Sequence, residues 1–417
     1  RKEICLMTVY CKGQPGELPE ILDFINMVFS MHRVPHNFRT LLPKLYGADR
    51  QTEWCHYLAK EDGKISAVVC VLPIALEHGG HTITCATVGS VSVHPYSRGK
   101  GYMKKLMAMA AEDMERQGIT LSILDGRRHR YQYYGYEPGG HYLEYRFNED
   151  NFRHCAARYP DIPLTLRLVA AEDTERIREM SRMYSELPVH TVRSVQDFFD
   201  ICTSWGSNLY AVELEETVNP AGSPVLQKNP ETASTSDPQK SAQPTAPAAG
   251  YICGTKDHVY ELVLSDETLL FPTLKAWSAL HGCESFTLAV PSYDTERIRG
   301  VSGFYERFSV REEDNYRIFN YSDAIRFFLS IKSETEPLTD GRLALKIGGR
   351  PTFAIAVSSG VITIEPCCDT PDLCLNDVEA VDLLFSPASF YGRDPSSPLF
   401  SVNWFPLPLS VSHLDKC

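Results

Sequence analysis

The stretch VSVHPYSRGKGYMKKLM, residues 91–107, restricts the fold of this chain more than any other. Val91 and Val93 alternate as in a strand, Pro95 ends the ladder because it has no N–H, and Arg98-Gly99-Lys100-Gly101 opens a helix. The spacing predicts that helix from about Gly99 to Gln117, with Met103, Leu106, Met107, Ala110 and Met114 on one face. Lys104, Lys105, Glu112 and Arg116 fall largely elsewhere. A helix with one apolar face, fed directly by a strand, has to pack back on a sheet, so the chain reads as layered α/β structure.

The same turn has a chemistry. The first amides of a helix have no partner within it, and together with the helix dipole they suit a phosphate or pyrophosphate. Gly99 and Gly101 let a ligand approach the main chain, and Arg98 and Lys100 can add charge-assisted contacts. No Gly-Lys-Ser/Thr closes the turn, which excludes a nucleotide P-loop, and two glycines are too few for the dinucleotide fingerprint.

A chain of 417 residues exceeds one ordinary core, so two or three domains are expected. "LPEILDFINMVFSM" reads as a helix, "HYLAKEDGKISAVVCVLPI" as a hairpin turning at Asp62-Gly63, and "HTITCATVGSVSV" as a strand. After "TLSILDG", a short buried strand, the order of elements starts over from about Pro163 without a glycine-rich turn. The Pro-, Ser-, Thr- and Ala-rich segment at about 218–250 reads as a disordered loop, inserted between strands that can be sheet neighbours. A small α+β unit closes the chain. The expected division is 1–155, 156–320 and 321–417.

The formal net charge of −12 argues against nucleic acid, which needs a basic face, and favours cationic small molecules or basic peptides. No apolar run reaches membrane-spanning length and no signal-peptide pattern is present, so no membrane partner is expected and the cytoplasm is the expected location. The 13 cysteines lack paired metal-type spacing and read as reduced thiols. No metal is expected; the densest cluster, Cys367, Cys368 and Cys374, has no histidine close in sequence.

The pattern V-x-V-x-P-x-x-R-G-x-G followed by an amphipathic helix resembles the acetyl-CoA-binding motif of the GCN5-related N-acetyltransferases, with Met103 standing where that family usually has Gly or Ala. "RYQYYGYEPGG", residues 130–140, resembles the family's Tyr-rich segment. The order of three parts is similar to that of the enhanced intracellular survival acetyltransferases. That resemblance implies tandem acetyltransferase-like mixed-sheet domains, a sterol-carrier-protein-like third domain and acetyl-CoA as cosubstrate. It implies a primary amine as acceptor, aminoglycosides among the candidates, and a homo-oligomer such as a hexamer.

By the same resemblance, the main chain of Val91, Ser92 and Val93 would bind pantetheine and the thioester oxygen. Arg98, Gly99, Lys100, Gly101, Tyr102 and Met103 would hold the pyrophosphate. Tyr131 would protonate the departing thiolate, with Tyr133, Tyr134 and Tyr136 as competitors of which the last two more naturally pack the sheet. The family uses the carboxylate of its last residue as base, here Cys417, with Asp415 and His413 as neighbouring alternatives and a floppy tail as the plain reading. Asp125-Gly126-Arg127-Arg128 could shape the acceptor pocket or simply turn the chain. The rival class is a non-catalytic acyl-CoA- or lipid-binding sensor that keeps the loop.

Overall fold

The computed structural model describes residues 7–31, 34–215, 247–312, 314–392, 397–398 and 402–417. Its first strands are β1 (Thr8–Lys12), β2 (His56–Glu61), β3 (Lys64–His78), β4 (His81–Val93), β5 (Leu121–Leu124), β6 (Glu137–Pro138) and β7 (His141–Asn148). Next come β8 (Leu164–Leu168), β9 (Val189–Thr191), β10 (Asn208–Leu214), β11 (Gly250–Thr255), β12 (His258–Leu264), β13 (Ser285–Pro291), β14 (Arg307–Glu312) and β15 (Asn315–Ile318). The architecture is the expected mixed α/β one, with two large mixed sheets.

The first sheet has the order β1-β2-β3-β4-β5-β15-β6, with β9 against β3. Its β2–β3 hairpin turns at Asp62-Gly63 with φ of 48° and 81°, the two positive values that a tight two-residue turn requires. The second sheet runs β14-β7-β13-β12-β11-β10-β8. The two sheets exchange strands: β7 leaves the first 155 residues to pair with β13 and β14, and β15 returns to pair with β5. Residues 1–155 and 156–320 are therefore interlocked rather than beads on a string. β10 and β11 pair antiparallel, Val212 opposite Gly250, as expected for strands flanking an insertion. Most of the 218–250 segment itself lies outside the described residues.

The third unit sets the helices Tyr321–Thr335 and Asp377–Phe385 against a four-stranded sheet. Phe327, Phe328 and Trp404 share one core with Ile83 and Cys85 of β4 and Leu121 and Ile123 of β5. Full burial of each such side chain is worth roughly 1.5–3 kcal/mol, so this seam fastens the third unit to the first sheet. The chain then runs back from Trp404 to Cys417 across both large sheets.

Candidate active site

β4 carries the site. It pairs with β5 in parallel from Cys85 opposite Leu121 to Val88 opposite Leu124, where β5 ends. From Gly89 to Val93 it pairs with β3 alone among the described strands, which leaves one main-chain edge of this stretch open. The β3–β4 register also slips here: Val68 faces Ser92 while Cys70 faces Gly89. Ser90 and Val91 thus oppose a single residue, a bulge, and Ser90 takes a φ of 50°. A buried hydrogen-bonded chain fixes that conformation. Tyr46 Oη lies 2.9 Å from Ser90 Oγ and 2.9 Å from His56 Nε2, and His56 Nδ1 lies 2.9 Å from Thr52 O. Burial pushes the His56 imidazole down to about 4, so it sits there neutral.

The phosphate-type turn forms, with a shift. The helix runs Tyr102–Arg116 rather than from Gly99, because Gly99 and Gly101 take φ of 83° and 81°, outside helical space. Its first internal bond is from Lys105 N–H to Gly101 O, so the amides of Tyr102, Met103 and Lys104 face outward from the helix start. A Cβ at either glycine would meet open space, so those residues are set by backbone conformation and leave a clear cradle in front of the amides. Arg98 is exposed and makes no ion pair among the described residues. Lys100 is differently placed from expectation: its Nζ lies 2.5 Å from Glu61 Oε1. Tyr102 Oη donates to the same carboxylate, as does Ser97 Oγ at 2.9 Å. These bonds, that from Lys100 foremost, hold the Glu61 carboxyl down to about 2. Glu61 had no sequence signal beyond lying at the hairpin.

Tyr131 and Cys417 belong to different cores, which share β4 between them: Val88 lies in the first and Gly89 seats the second. Tyr131 is 5% exposed and clusters with Val88, Leu124 and the Tyr102–Arg116 helix. Its ring packs so closely on Gly126 that a Cβ there would lie 2.8 Å from Cδ2. Burial raises the phenol and so keeps the proton on the oxygen, an effect that Arg130 only partly counters. The other tyrosines of the segment differ in surroundings, Tyr134 being half-buried against the same core as Tyr131. Tyr136 is buried in the sheet with its Oη 2.7 Å from Ser122 Oγ, and Tyr133 is 66% exposed under Lys104.

Cys417 clusters in the other core with Cys70 and the helix Leu18–Ser30. A Cβ at Gly89 would overlap the Cys417 carboxyl carbon and oxygen and lie 3.0 Å from its Sγ. The thiol donates to Thr87 O at 3.2 Å and accepts from Thr87 Oγ1 at 3.1 Å. A hydrogen bond from Cys70 is the main reason that the thiol lies below its usual range. The tail is far from floppy. Leu414, Asp415, Lys416 and Cys417 are all buried, and Arg193 grips the Asp415 carboxylate at 2.8 and 2.9 Å. Arg193 donates equally to both Glu261 oxygens, at 3.0 and 2.8 Å. That pairing also speaks against a cation among Cys202, Cys253 and Glu261, whose ligand atoms lie within 4.8 Å of one another. His413 sits between the rings of Trp205 and Tyr260, and the Asp415 carboxylate is paired with Arg193.

A cavity of about 920 Å³ lies beside the tail, bordered by His413 and Lys416. Its lining carries nine carboxylates, of which Glu144, Glu261, Glu267 and Asp314 are paired with Arg311, Arg193, Arg297 and Lys416, and the remaining excess of negative charge favours cations. No sequence motif marks this cavity, since its walls come from segments scattered between Leu76 and Lys416.

Residues 10–139 match the family described as the acetyltransferase (GNAT) domain. The first part of the chain is thus similar to a GNAT domain. No curated protein matches the chain in sequence. In fold, the whole chain is similar to a GCN5-related N-acetyltransferase from Kribbella flavida, at TM-score 0.62 and 14% identity over 100% of each chain. It is also similar to a probable N-acyltransferase of Enterococcus faecalis V583, at TM-score 0.63 and 16% identity over 97% of each. Eis1 from Mycobacterium abscessus gives TM-score 0.53 and 15% identity, covering 89% of this chain and 88% of that one. At such identities the likeness is one of fold: a GNAT domain continued by a second GNAT-like sheet and a third unit. The open edge of β4, its bulge and the glycine turn all fall within the matched GNAT domain.

Proposed function

We propose that the chain is an acetyl-CoA-dependent N-acetyltransferase whose acceptor is a primary amine on a small polycation or basic peptide. The observation that carries this reading is the seat of Cys417 on Gly89, directly after Val88, where β4 parts from β5, with Tyr131 in the core that also holds Val88 and Leu124. The open β4 edge from Gly89 to Val93 suits the pantetheine arm, and the amides after Gly101 suit the pyrophosphate. Arg98, Gly99, Lys100, Gly101, Tyr102 and Met103 would line that arm, Lys100 after release from Glu61.

In the reaction, a neutral amine attacks the thioester carbon and the carbonyl oxygen gathers negative charge. Main-chain amides along the Val91–Val93 edge would stabilise that charge without reorganising. The nitrogen then sheds a proton, which the carboxylate of Cys417 accepts through water. An α-carboxylate has an ordinary pKa of about 3.5 and needs a partly dry setting to serve, which its burial on Gly89 supplies. As the C–S bond breaks, Tyr131 gives its proton to the sulfur. The acidic cavity would hold the cationic remainder of the acceptor. The sterol-carrier-like reading of the third unit assigns it the role of delivering the tail, and a cytoplasmic homo-oligomer fits the same reading.

Thiol release from acetyl-CoA, measured with a panel of mono- and polyamines, tests the proposal. Amine-dependent release with acetylated product supports it. Binding of CoA with no amine-dependent release would favour the non-catalytic sensor instead.

A further inference from the structure

Lys44 stands apart from everything assigned so far. It lies in the short helix Pro43–Tyr46, only 7% exposed, and forms no side-chain ion pair among the described residues. Its ammonium donates to Leu414 O at 2.5 Å and to Lys416 O at 2.6 Å. Those two carbonyls flank Asp415, whose carboxylate Arg193 holds from the second sheet's side. Trp205 Nε1 donates to Lys416 O as well, at 3.2 Å. Lys416 O belongs to the peptide that leads directly into Cys417, the residue seated on Gly89.

A buried ammonium is costly unless its hydrogen bonds are made, and burial pushes this one down to about 8. A methionine would fill the same volume without that cost but would take the ammonium from Leu414 O and leave Lys416 O with Trp205 alone. The lysine is thus explained by what it fixes: the register of the tail, in a place where sliding by one residue would move the carboxyl by about 3.4 Å.

We infer that Lys44 is a positioning residue for the proposed reaction, clasping the main chain on both sides of Asp415 so that the Cys417 carboxyl stays against Gly89. The inference rests on the proposed role of that carboxyl. A misplacement of about 1 Å can cost roughly 100-fold in rate, which sets the scale of the expected effect.

The test compares four proteins: the parent, Lys44→Met, a chain ending at Lys416, and the two changes combined. Lys44→Met is expected to lower kcat by about 10- to 100-fold while the affinity for acetyl-CoA stays within about twofold. Added to the shortened chain, it is expected to change kcat no further. A loss of equal size in both backgrounds would make Lys44 merely structural and overturn the inference, as would an unchanged kcat in the full-length variant. If the shortened chain is as fast as the parent, the base assignment itself fails. A second measurement reads the clasp without catalysis: carboxypeptidase should release Cys417 and Lys416 from Lys44→Met at least about tenfold faster than from the parent, and equal rates would refute the clasp.

Discussion

Gly89 and Cys417 fit together because Gly89 has no side chain. A Cβ on the strand would occupy the space of the Cys417 carboxyl group, and the backbone at 89 is ordinary extended strand. Glycine is therefore required by the tail rather than by its own φ.

That makes Gly89→Ala a clean probe. The substitution should leave β4 paired and the affinity for acetyl-CoA nearly intact, but displace the tail. Overpacking of this kind costs about 1–3 kcal/mol. Steady-state kinetics should show kcat falling much more than the acetyl-CoA affinity; parallel losses would place the damage in the cofactor edge instead.

Tyr131→Phe removes one hydroxyl from a ring that is otherwise locked against Gly126. If the phenol protonates the thiolate, turnover should drop by roughly 100-fold or more. Titration with acetyl-CoA should then give an unchanged affinity. Equal loss of turnover and affinity would remove Tyr131 from the acid role.

Gly99 and Gly101 both lie in left-handed backbone with open space around them. Alanine at either position would be strained by about 1–2 kcal/mol without any clash. The cost should fall on the cradle: a raised KM for acetyl-CoA, with kcat at saturation little changed. Calorimetric titration of the variants checks this directly.

His56, His141 and His413 are each pushed down to about 4, chiefly by burial. In the unfolded chain they titrate near 6.5, so between pH 6.5 and 4 the unfolded state binds more protons than the folded one. Stability should accordingly be full above pH 6.5 and fall as the pH drops through this window, by up to about 1.4 kcal/mol per pH unit for each histidine. Denaturant unfolding across pH 4–7 measures the slope. His413→Gln should flatten it, and an unchanged slope would mean that His413 titrates normally.

The sequence was most informative where chemistry is local. The strand, proline and two glycines of residues 91–101 carry their own conformational reasons, and the structure departs from the reading only in starting the helix at Tyr102. The Asp62-Gly63 turn and the antiparallel pair around the insertion were equally legible, because each depends on neighbours or on hydrophobic alternation. The partner of Lys100 was not legible: only the fold brings Glu61 to it from 39 residues away. Tyr46, His56 and Ser90 gave no signal, since a buried hydrogen-bonded chain of a tyrosine, a histidine and a serine has no characteristic spacing.

By itself, then, the sequence determined the glycine turn and the alternation of strands and helices, and it offered the aromatic and terminal residues as candidates. Only the tertiary structure decided that β7 and β15 change places between sheets, and that Cys417 meets a strand 330 residues earlier. The physical reason is range. Backbone preference and periodicity act over a few residues, whereas the seat of the tail is set by Lys44, Arg193 and Gly89, three residues that share no local pattern and become neighbours only when three separate cores have closed.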